Sequence, residues 1–186
     1  MTGLLAAYQA LVAASELKPD PDQAQAAAKL ADIQQQLEAV PPRGSTLWRF
    51  LGKKPDSVRG LGRGKSMLMD LFFDNAQVNR KRRAHFHEFM LDIHARLKVE
   101  REKEKGDPIP PVVAALADEA RLLCFDEMVV NNMADAAIMS RLFAGLFDAG
   151  VTVITTSNRH PDQLYKDGLN RQLFLPFIDL VKERLD

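Results

Sequence analysis

Apolar residues recur at helical spacing at the start of the chain, which predicts an amphipathic helix over about 3–17. These apolar positions are Leu4, Leu5, Tyr8, Leu11 and Val12. A second helix is predicted over 21–39, because aspartate and proline are common at helix starts and either Asp20 or Pro21 could begin it. The tandem prolines of "VPPRGS" then stop helical structure and favour an extended chain. We therefore expect a separate helical segment over residues 1–44.

Farther along, short apolar runs alternate with helical patterns. The stretch "RRAHFHEFM" changes from alternation to helical spacing, as a strand that enters a helix does. "RLLCFDE" is an apolar run that ends in two acids, and "VTVITTSN" is β-branched like a buried strand. Strands that alternate with helices are typical of an α/β fold. The pattern predicts a mostly parallel sheet flanked by helices.

Helices are predicted between and after these strands. One runs from Ser66 to Phe73 with Met67, Leu68, Leu71 and Phe72 on its buried side. "MADAAIMSRLFAGLFDAG" is predicted to be a helix that Gly150 ends. Its buried face is predicted to carry Ala137, Ile138, Leu142, Leu146 and Phe147. "KVEREKEKGDPIPP" is predicted to be a solvated helix end and a loop, and two more helices are expected after "HPDQ".

Composition narrows the class of protein. The 186 residues are 46% hydrophobic, which suffices for one core, and 25 basic residues balance 25 acidic ones. This balance removes any global attraction to nucleic acid or an anionic membrane, so we expect no nucleic-acid partner and at most peripheral membrane association. No run approaches the ~18 apolar residues of a membrane span. The single cysteine, Cys124, excludes a disulfide scaffold and favours a reducing, cytoplasmic location.

The stretch "VRGLGRGKSMLMDLFF", residues 58–73, resembles the end of a phosphate-binding loop. Glycines let backbone N–H groups converge on phosphate oxygens, the lysine reaches the β- and γ-phosphates, and the hydroxyl binds Mg²⁺. The candidate residues are Gly60, Gly62, Arg63, Gly64, Lys65 and Ser66. The usual first glycine falls at position 59, however, which is Arg59, and the preceding "GKKPDSVR" is charged. A glycine-rich turn before a core helix stays open as the alternative.

Two further elements follow the loop in the order expected of an ATPase. Asp126 and Glu127 end the apolar run "LLCFDE", where the first acid would hold Mg²⁺ through water and the second would act as general base. Asn158 ends "VTVITTSN" and would orient the attacking water. The alternatives are a core strand that runs into an acidic turn, and a helix cap at Asn158.

These segments together resemble the ZapE-like ATPases, also called ATPase-family-gene-one proteins, of the AAA+ class. The resemblance extends from about residue 45 to the end of the chain. The segments that carry it are "LWRFLG", "GRGKSMLMDLFF", "KRRAHFHEFMLDIHARL", "RLLCFDEMVVNNMADAAIMSRLF" and "TTSNRHPDQLYKDGLNRQLFLPFIDLVKER". "HFHEFM" and "LYKDGLNRQLFLPFI" are far more specific than a glycine loop alone.

The resemblance implies a P-loop ATPase domain over residues 45–186 that uses ATP and Mg²⁺. It implies Lys65 and Ser66 on nucleotide and metal, a Walker B pair at Asp126 and Glu127, and Asn158 as a sensor. It also implies that Arg171, in "GLNRQLF", is an arginine finger that stabilises γ-phosphate charge in a neighbouring subunit. A homo-oligomer that acts on a protein partner in the division machinery follows from the same resemblance. For Arg171 the alternative is a solvated helix residue.

The chain also departs from the family pattern. Family members carry an apolar strand and a paired glycine between the equivalents of "VRGL" and "GRGKS", and here the two are fused. Asn131 and Asn132 stand where relatives tend to carry "TD", and the sequence ends after "KERLD". We therefore expect an incomplete, internally deleted module. The alternative function is a catalytically inactive protein-interaction module.

Two other patterns carry competing interpretations. His85, His87 and His94 could indicate a metal site, but no cysteine or acid completes the set. "NRKRR" could be a nucleic-acid patch, although the zero net charge and the lack of interleaved aromatic residues favour a solvated loop.

Overall fold

The structure of the protein is a computed structural model that describes residues 3–39, 65–103, 106–157 and 160–184. The chain divides into two compact units, an N-terminal unit that ends at Asn79 and a sheet unit of Arg80–Glu183. Within the described ranges, no helix is apolar over enough of its length to span a membrane. The predicted domain boundary after residue 44 lies outside the described residues and stays a prediction.

In the described part of the N-terminal unit there are three helices, α1 (Leu4–Ala13), α2 (Pro21–Ala39) and α3 (Lys65–Asn75). The predicted N-terminal helical pair is therefore confirmed. The first helix ends earlier than predicted, because Ser15 adopts a left-handed backbone with φ of 60° that a right-handed helix cannot continue through. The second begins as predicted, since the carboxylate of Asp20 accepts the amide of the second helical residue at 2.9 Å.

Gln34 ties the three helices of this unit together. Its side chain is buried in α2, where its carbonyl oxygen accepts the amide of Leu4 at 3.1 Å. Its amide nitrogen donates to the carbonyl of Asn75 at 2.9 Å and to Glu38 at 2.8 Å. Because each of these polar atoms has a partner, the buried amide stabilises the packing instead of opposing it.

Over its described residues, the sheet unit has three parallel strands in the order β1-β2-β3. They are β1 (Lys81–His85), β2 (Leu122–Asp126) and β3 (Thr152–Thr155). The register places His85 opposite Asp126 and Phe125 opposite Thr155, so the strands end at one edge. Helices α4 (Phe86–Lys103), α5 (Ile109–Glu119), α6 (Met133–Asp148) and α7 (Leu175–Arg184) complete the unit. The predicted α/β class with a parallel sheet is confirmed.

Phenylalanine rings fill the core of the sheet unit. Phe89 of α4 lies 4.5 Å from Phe125 of β2, measured between ring centroids, and Phe86 meets the same ring edge-on at 5.8 Å. Phe143 of α6 contacts Phe177 of α7 at 5.3 Å. Tilted and edge-on pairs of this kind add ~0.5–1.5 kcal/mol each beyond the burial of their area. The core therefore fixes α4, α6 and α7 relative to the strand that ends in Asp126.

One prediction about a helix was wrong, and another was confirmed only in part. The segment predicted to be a loop contains the start of α5, because Pro110 and Pro111 lie in its first turn, where backbone N–H groups have no helical partner to lose. On α6 the predicted residues Leu142 and Leu146 are buried and Ile138 and Phe147 are half-buried, but Ala137 is exposed. The buried face also includes Ala136, Met139 and Phe143. The buried face therefore shares Leu142 and Leu146 with the predicted face and extends to Phe143, whose ring packs in the aromatic core.

The segment after β3 also differs from its prediction. The first of the two predicted helices is replaced by single 3₁₀ turns at Pro161–Gln163 and Arg171–Leu173. Tyr165, Asp167 and Asn170 adopt left-handed backbone conformations, with φ of 51°, 61° and 55°. An α-helix of L-residues cannot contain them, so only α7 forms.

Candidate functional site

The carboxyl edge of the parallel sheet carries two candidate site acids, one predicted to bind metal and the other to act as general base. Asp126 is the last residue of β2, and Glu127 follows it as an exposed residue. This edge is where open α/β sheets commonly bind their ligands. The position of both acids agrees with the sequence-based interpretation of "LLCFDE" as a strand that delivers two carboxylates.

Two hydrogen bonds to Thr156, the residue after β3, fix the turn at Glu127. The amide of Glu127 donates to the hydroxyl of Thr156 at 3.1 Å, and the amide of Met128 donates to the Thr156 carbonyl at 2.9 Å. Glu127 has a left-handed backbone with φ of 52°, which costs a non-glycine residue about 1–2 kcal/mol. The two hydrogen bonds hold this conformation, and sequence reasoning did not anticipate the role of Thr156.

Arg83 of β1 binds both carboxylate oxygens of Asp126. Its Nε donates to Oδ2 at 2.8 Å, and its Nη2 donates to Oδ1 at 3.2 Å. The two side chains are only 26% and 15% exposed, so water screens their attraction weakly. The expectation that "NRKRR" is a solvated loop is wrong, because Lys81, Arg82 and Arg83 belong to β1.

Arg82, the residue before Arg83, binds a carboxylate of helix α4. It donates to Asp92 of α4 at 2.9 Å, and Arg96 donates to the second oxygen of the same carboxylate at 2.9 Å. Arg96 also forms two hydrogen bonds to Glu119 at the end of α5. The run of basic residues therefore stabilises packing within the sheet unit.

Cys124 lies on β2 two residues before Asp126. It is fully buried, and burial raises the pKa of the thiol to about 12. The group therefore stays protonated at neutral pH, and a buried, protonated thiol is a poor nucleophile.

Lys65 and Ser66 are the first two residues of α3 in the N-terminal unit. Lys65 is half-buried and Ser66 is exposed. Their position at a helix N-terminus is the one that a phosphate-binding loop requires of its lysine and hydroxyl. Gly60, Gly62, Arg63, Gly64 and Asn158 lie outside the described residues, so their predicted roles stay predictions.

Arg171 begins the second 3₁₀ turn and is half-buried. Its Nη2 donates to the backbone carbonyl of Asp162 at 2.7 Å. The Asp162 carboxylate pairs with Lys182 of α7, and this hydrogen bond is the main cause that holds the pKa of Asp162 below its ordinary value. Arg171 therefore takes part in a local hydrogen-bond network and lies in a 3₁₀ turn, not in an α-helix. Its predicted role as an arginine finger stays a prediction.

The three histidines do not form a cluster with other ligands. Among the residues that the structure describes, no group of three or more His, Cys, Asp or Glu side chains could hold a metal ion. His94 instead lies 2.6 Å from the buried carboxylate of Asp135. That pair joins α4 to the first turn of α6.

Comparisons with known proteins place the chain in a family. The family model described as AFG1-like ATPase matches residues 2–186. The chain is 38% identical over 186 aligned residues to "Cell division protein ZapE" of Escherichia coli, an alignment that covers 91% of this chain and 49% of the relative. It is 48% identical over 132 residues to "Lactation elevated protein 1 homolog B" of Danio rerio, which covers 66% of this chain and 26% of the relative.

The chain therefore spans about half or less of the length of these curated relatives. No solved structure matches it. The resemblance drawn from "HFHEFM", "LLCFDE" and "LYKDGLNRQLFLPFI" is confirmed by a match over nearly the whole sequence. The chain belongs to the AFG1-like ATPase family.

Proposed function

We propose that this chain is an ATP-hydrolysing module in which Glu127 activates the attacking water. The observation that carries the proposal is the position of Asp126 and Glu127 at the carboxyl edge of a parallel sheet in a member of an ATPase family. Glu127 is exposed to solvent, and hydrogen bonds to Thr156 fix its backbone. A general base needs this combination of water access and fixed position.

The remaining residues take roles that the family resemblance implies. Lys65 contacts the β- and γ-phosphates, the loop residues Gly60, Gly62, Arg63 and Gly64 supply backbone N–H groups, and Asn158 orients water. Arg171 acts on the nucleotide of a neighbouring subunit. Support for an oligomer comes from the large apolar side chains beside Arg171, since Leu169 is 71% exposed and Leu173 is 51% exposed.

Mg²⁺ fits the donor chemistry of Asp126, and the family resemblance implies Ser66 as a further ligand. A carboxylate offers about four lone-pair sites, of which Arg83 uses two, so Asp126 retains capacity for metal-bound water. Mg²⁺ prefers oxygen ligands and usually keeps several waters. When bound, the ion would neutralise charge on the transferring phosphoryl group.

A role in cell division is proposed on the likeness to the Escherichia coli relative, whose name describes a cell division protein. The partner would be a protein of the division machinery, and the location cytoplasmic. The zero net charge of the chain supports a protein partner over nucleic acid.

The second candidate function is an interaction module that does not turn over ATP. The fused sequence "VRGLGRGKS" favours it, because Arg59 stands at the position of the first loop glycine. The alignment with the Escherichia coli relative is 186 residues long but takes in 91% of this chain, so it includes positions where this chain has no residue.

A comparison of variants tests the two functions. We expect turnover by the purified chain at millimolar ATP to be abolished in Glu127→Gln, which keeps the shape of the side chain but removes the base. Glu102→Gln changes an exposed acid of α4 and is the matched control. Lys65→Ala should remove ATP binding measured by calorimetry, with Lys98→Ala as its control. Equal turnover by Glu127→Gln and the control would refute the assignment of the base, and no turnover by any form would favour the interaction module.

A further inference from the structure

Arg83 and Asp126 join two neighbouring strands at the edge that carries the candidate catalytic acids. The register places Arg83 opposite Cys124, two residues before the end of β1, so its side chain must reach along the sheet to Asp126. It does so with a fork of two hydrogen bonds at 2.8 and 3.2 Å. A guanidinium in this geometry fixes the orientation of a carboxylate as well as its charge.

The pair also balances the charge on Asp126. Both oxygens of the carboxylate accept hydrogen bonds from one cation, and both side chains are mostly buried. Glu127, the acid that follows Asp126 along the chain, is exposed and lies in the next turn. A divalent cation that arrives alone therefore meets a neutralised carboxylate beside a fixed positive charge, and the approach of two cations to one carboxylate is unfavourable.

We propose that Arg83 prevents free divalent cations from binding at Asp126, so that the metal enters only together with nucleotide phosphates. The inference rests on the proposed function, because it concerns the same carboxylate. Nucleotide phosphates carry several negative charges, and their oxygens bind the metal directly. Both effects offset the repulsion between the metal and Arg83. The ion pair thus sets the order of binding and selects the metal–nucleotide complex over the free metal.

A purely structural role for the pair makes a different prediction. If Arg83 only joined β1 to β2, its removal would lower the stability of the sheet unit and leave the affinity for metal unchanged. Arg82 provides the matched comparison, because it is the preceding residue of the same strand and its partner is Asp92 of α4. Its side chain is 34% exposed, close to the 26% of Arg83.

The experiment measures binding of Mn²⁺ without nucleotide by electron paramagnetic resonance, with the full chain and three variants. We expect Arg83→Gln to bind Mn²⁺ about tenfold more tightly than the unmodified chain, since the positive charge that pairs with Asp126 is removed. Arg82→Gln should bind like the unmodified chain. The double variant Arg83→Gln with Asp126→Asn should lose the gain, which would locate the metal at Asp126.

An Arg83→Gln variant that is folded and binds Mn²⁺ no more tightly than Arg82→Gln would overturn the inference. So would a gain that persists in the double variant. If Arg83→Gln does not fold, the Nε–H signal of Arg83 in ¹⁵N-labelled unmodified chain provides the test. It should stay unchanged on addition of Mg²⁺ alone, and a shift at millimolar Mg²⁺ would overturn the inference. Because no nucleotide is present, these outcomes do not depend on whether the chain hydrolyses ATP.

Discussion

The imidazole Nε2 of His94 lies 2.6 Å from a carboxylate oxygen of Asp135 and links the middle of α4 to the first turn of α6. The second oxygen of Asp135 accepts a hydrogen bond from the side chain of Asn132 at 2.7 Å. Asn132 in turn accepts the backbone amide of Asp135 at 2.8 Å and caps α6. The segment between Glu127 and α6 is therefore fixed at its far end by His94.

Removal of the His94 imidazole should destabilise the sheet unit. In His94→Ala the buried carboxylate of Asp135 loses one of its two side-chain partners, which costs about 1–3 kcal/mol. Urea unfolding followed by circular dichroism would measure the change. The control is His87→Ala, which alters an exposed position of the same helix. If both variants lost stability equally, the effect would reflect helix propensity and the proposed link would be wrong.

The network at Asp92 predicts a dependence of stability on pH. Partial burial acts to raise the pKa of Asp92, but hydrogen bonds from Arg96 and Arg82 outweigh this and hold the pKa below its ordinary value. A carboxyl whose pKa is lower in the folded state contributes stability above its unfolded pKa. That stability is lost as pH falls through the folded pKa, below about pH 4.

Asp92→Asn should therefore lower the free energy of unfolding at pH 7 by about 1 kcal/mol and flatten its decline in acid. The measurement is a series of urea titrations between pH 7 and pH 3. Asp179→Asn, at an exposed position of α7, is the control and should follow the unmodified chain. Parallel acid profiles for Asp92→Asn and the unmodified chain would show that Asp92 does not contribute to the pH dependence.

The sequence predicted those elements whose local pattern and tertiary environment agree. The runs "LLCFD" and "TVIT" are buried strands in the structure, because continuous apolar segments fit a parallel sheet that is covered by helices. The helix α5 was missed since its prolines suggested a loop, although Val112, Val113, Leu116 and Ala117 have helical spacing. Proline at the start of a helix is compatible with that spacing.

The candidate site was only partly predictable for a different reason. Asp126 and Glu127 could be assigned because both end the apolar run "LLCFDE", a local feature of the sequence. The pairing of Arg83 with Asp126 depends on which strands are neighbours, and that information is not local. The left-handed backbone of Glu127 depends likewise on Thr156, which lies far away along the chain.

The exposed apolar side chains beside Arg171 predict an effect on self-association. We expect Leu173→Ser to reduce the apparent mass of the chain in light scattering at high protein concentration, because it removes apolar area from a subunit interface. Leu91→Ser is the control, since Leu91 is similarly exposed at 57% on α4. A mass that is unchanged in Leu173→Ser, or reduced equally in both variants, would remove the support that this patch gives to an oligomer.

The fused segment "VRGLGRGKS" leads to a prediction about nucleotide affinity. With Arg59 at the position of the first glycine and no apolar strand before it in the sequence, the loop cannot easily surround the β-phosphate with successive N–H groups. The loss of two such hydrogen bonds would cost roughly 3–6 kcal/mol, at ~1.5–3 kcal/mol each. Since about 1.4 kcal/mol changes affinity tenfold, micromolar binding would weaken toward millimolar or beyond.

Insertion of an apolar strand and a glycine pair between Leu61 and Gly62 should restore binding and raise thermal stability together. Among the described residues, β3 pairs with β2 alone, although its Val153 and Ile154 are almost completely buried. The added strand would supply hydrogen bonds to a buried strand, which should raise thermal stability. The glycine pair would supply backbone N–H groups to the phosphate loop, which should restore binding. Calorimetry and thermal unfolding would measure the two effects, with an insertion of equal length made of Gly and Ser as the control. Tight ATP binding by the unmodified chain would contradict the prediction and would mean that Gly60 and Gly62 already form a working loop.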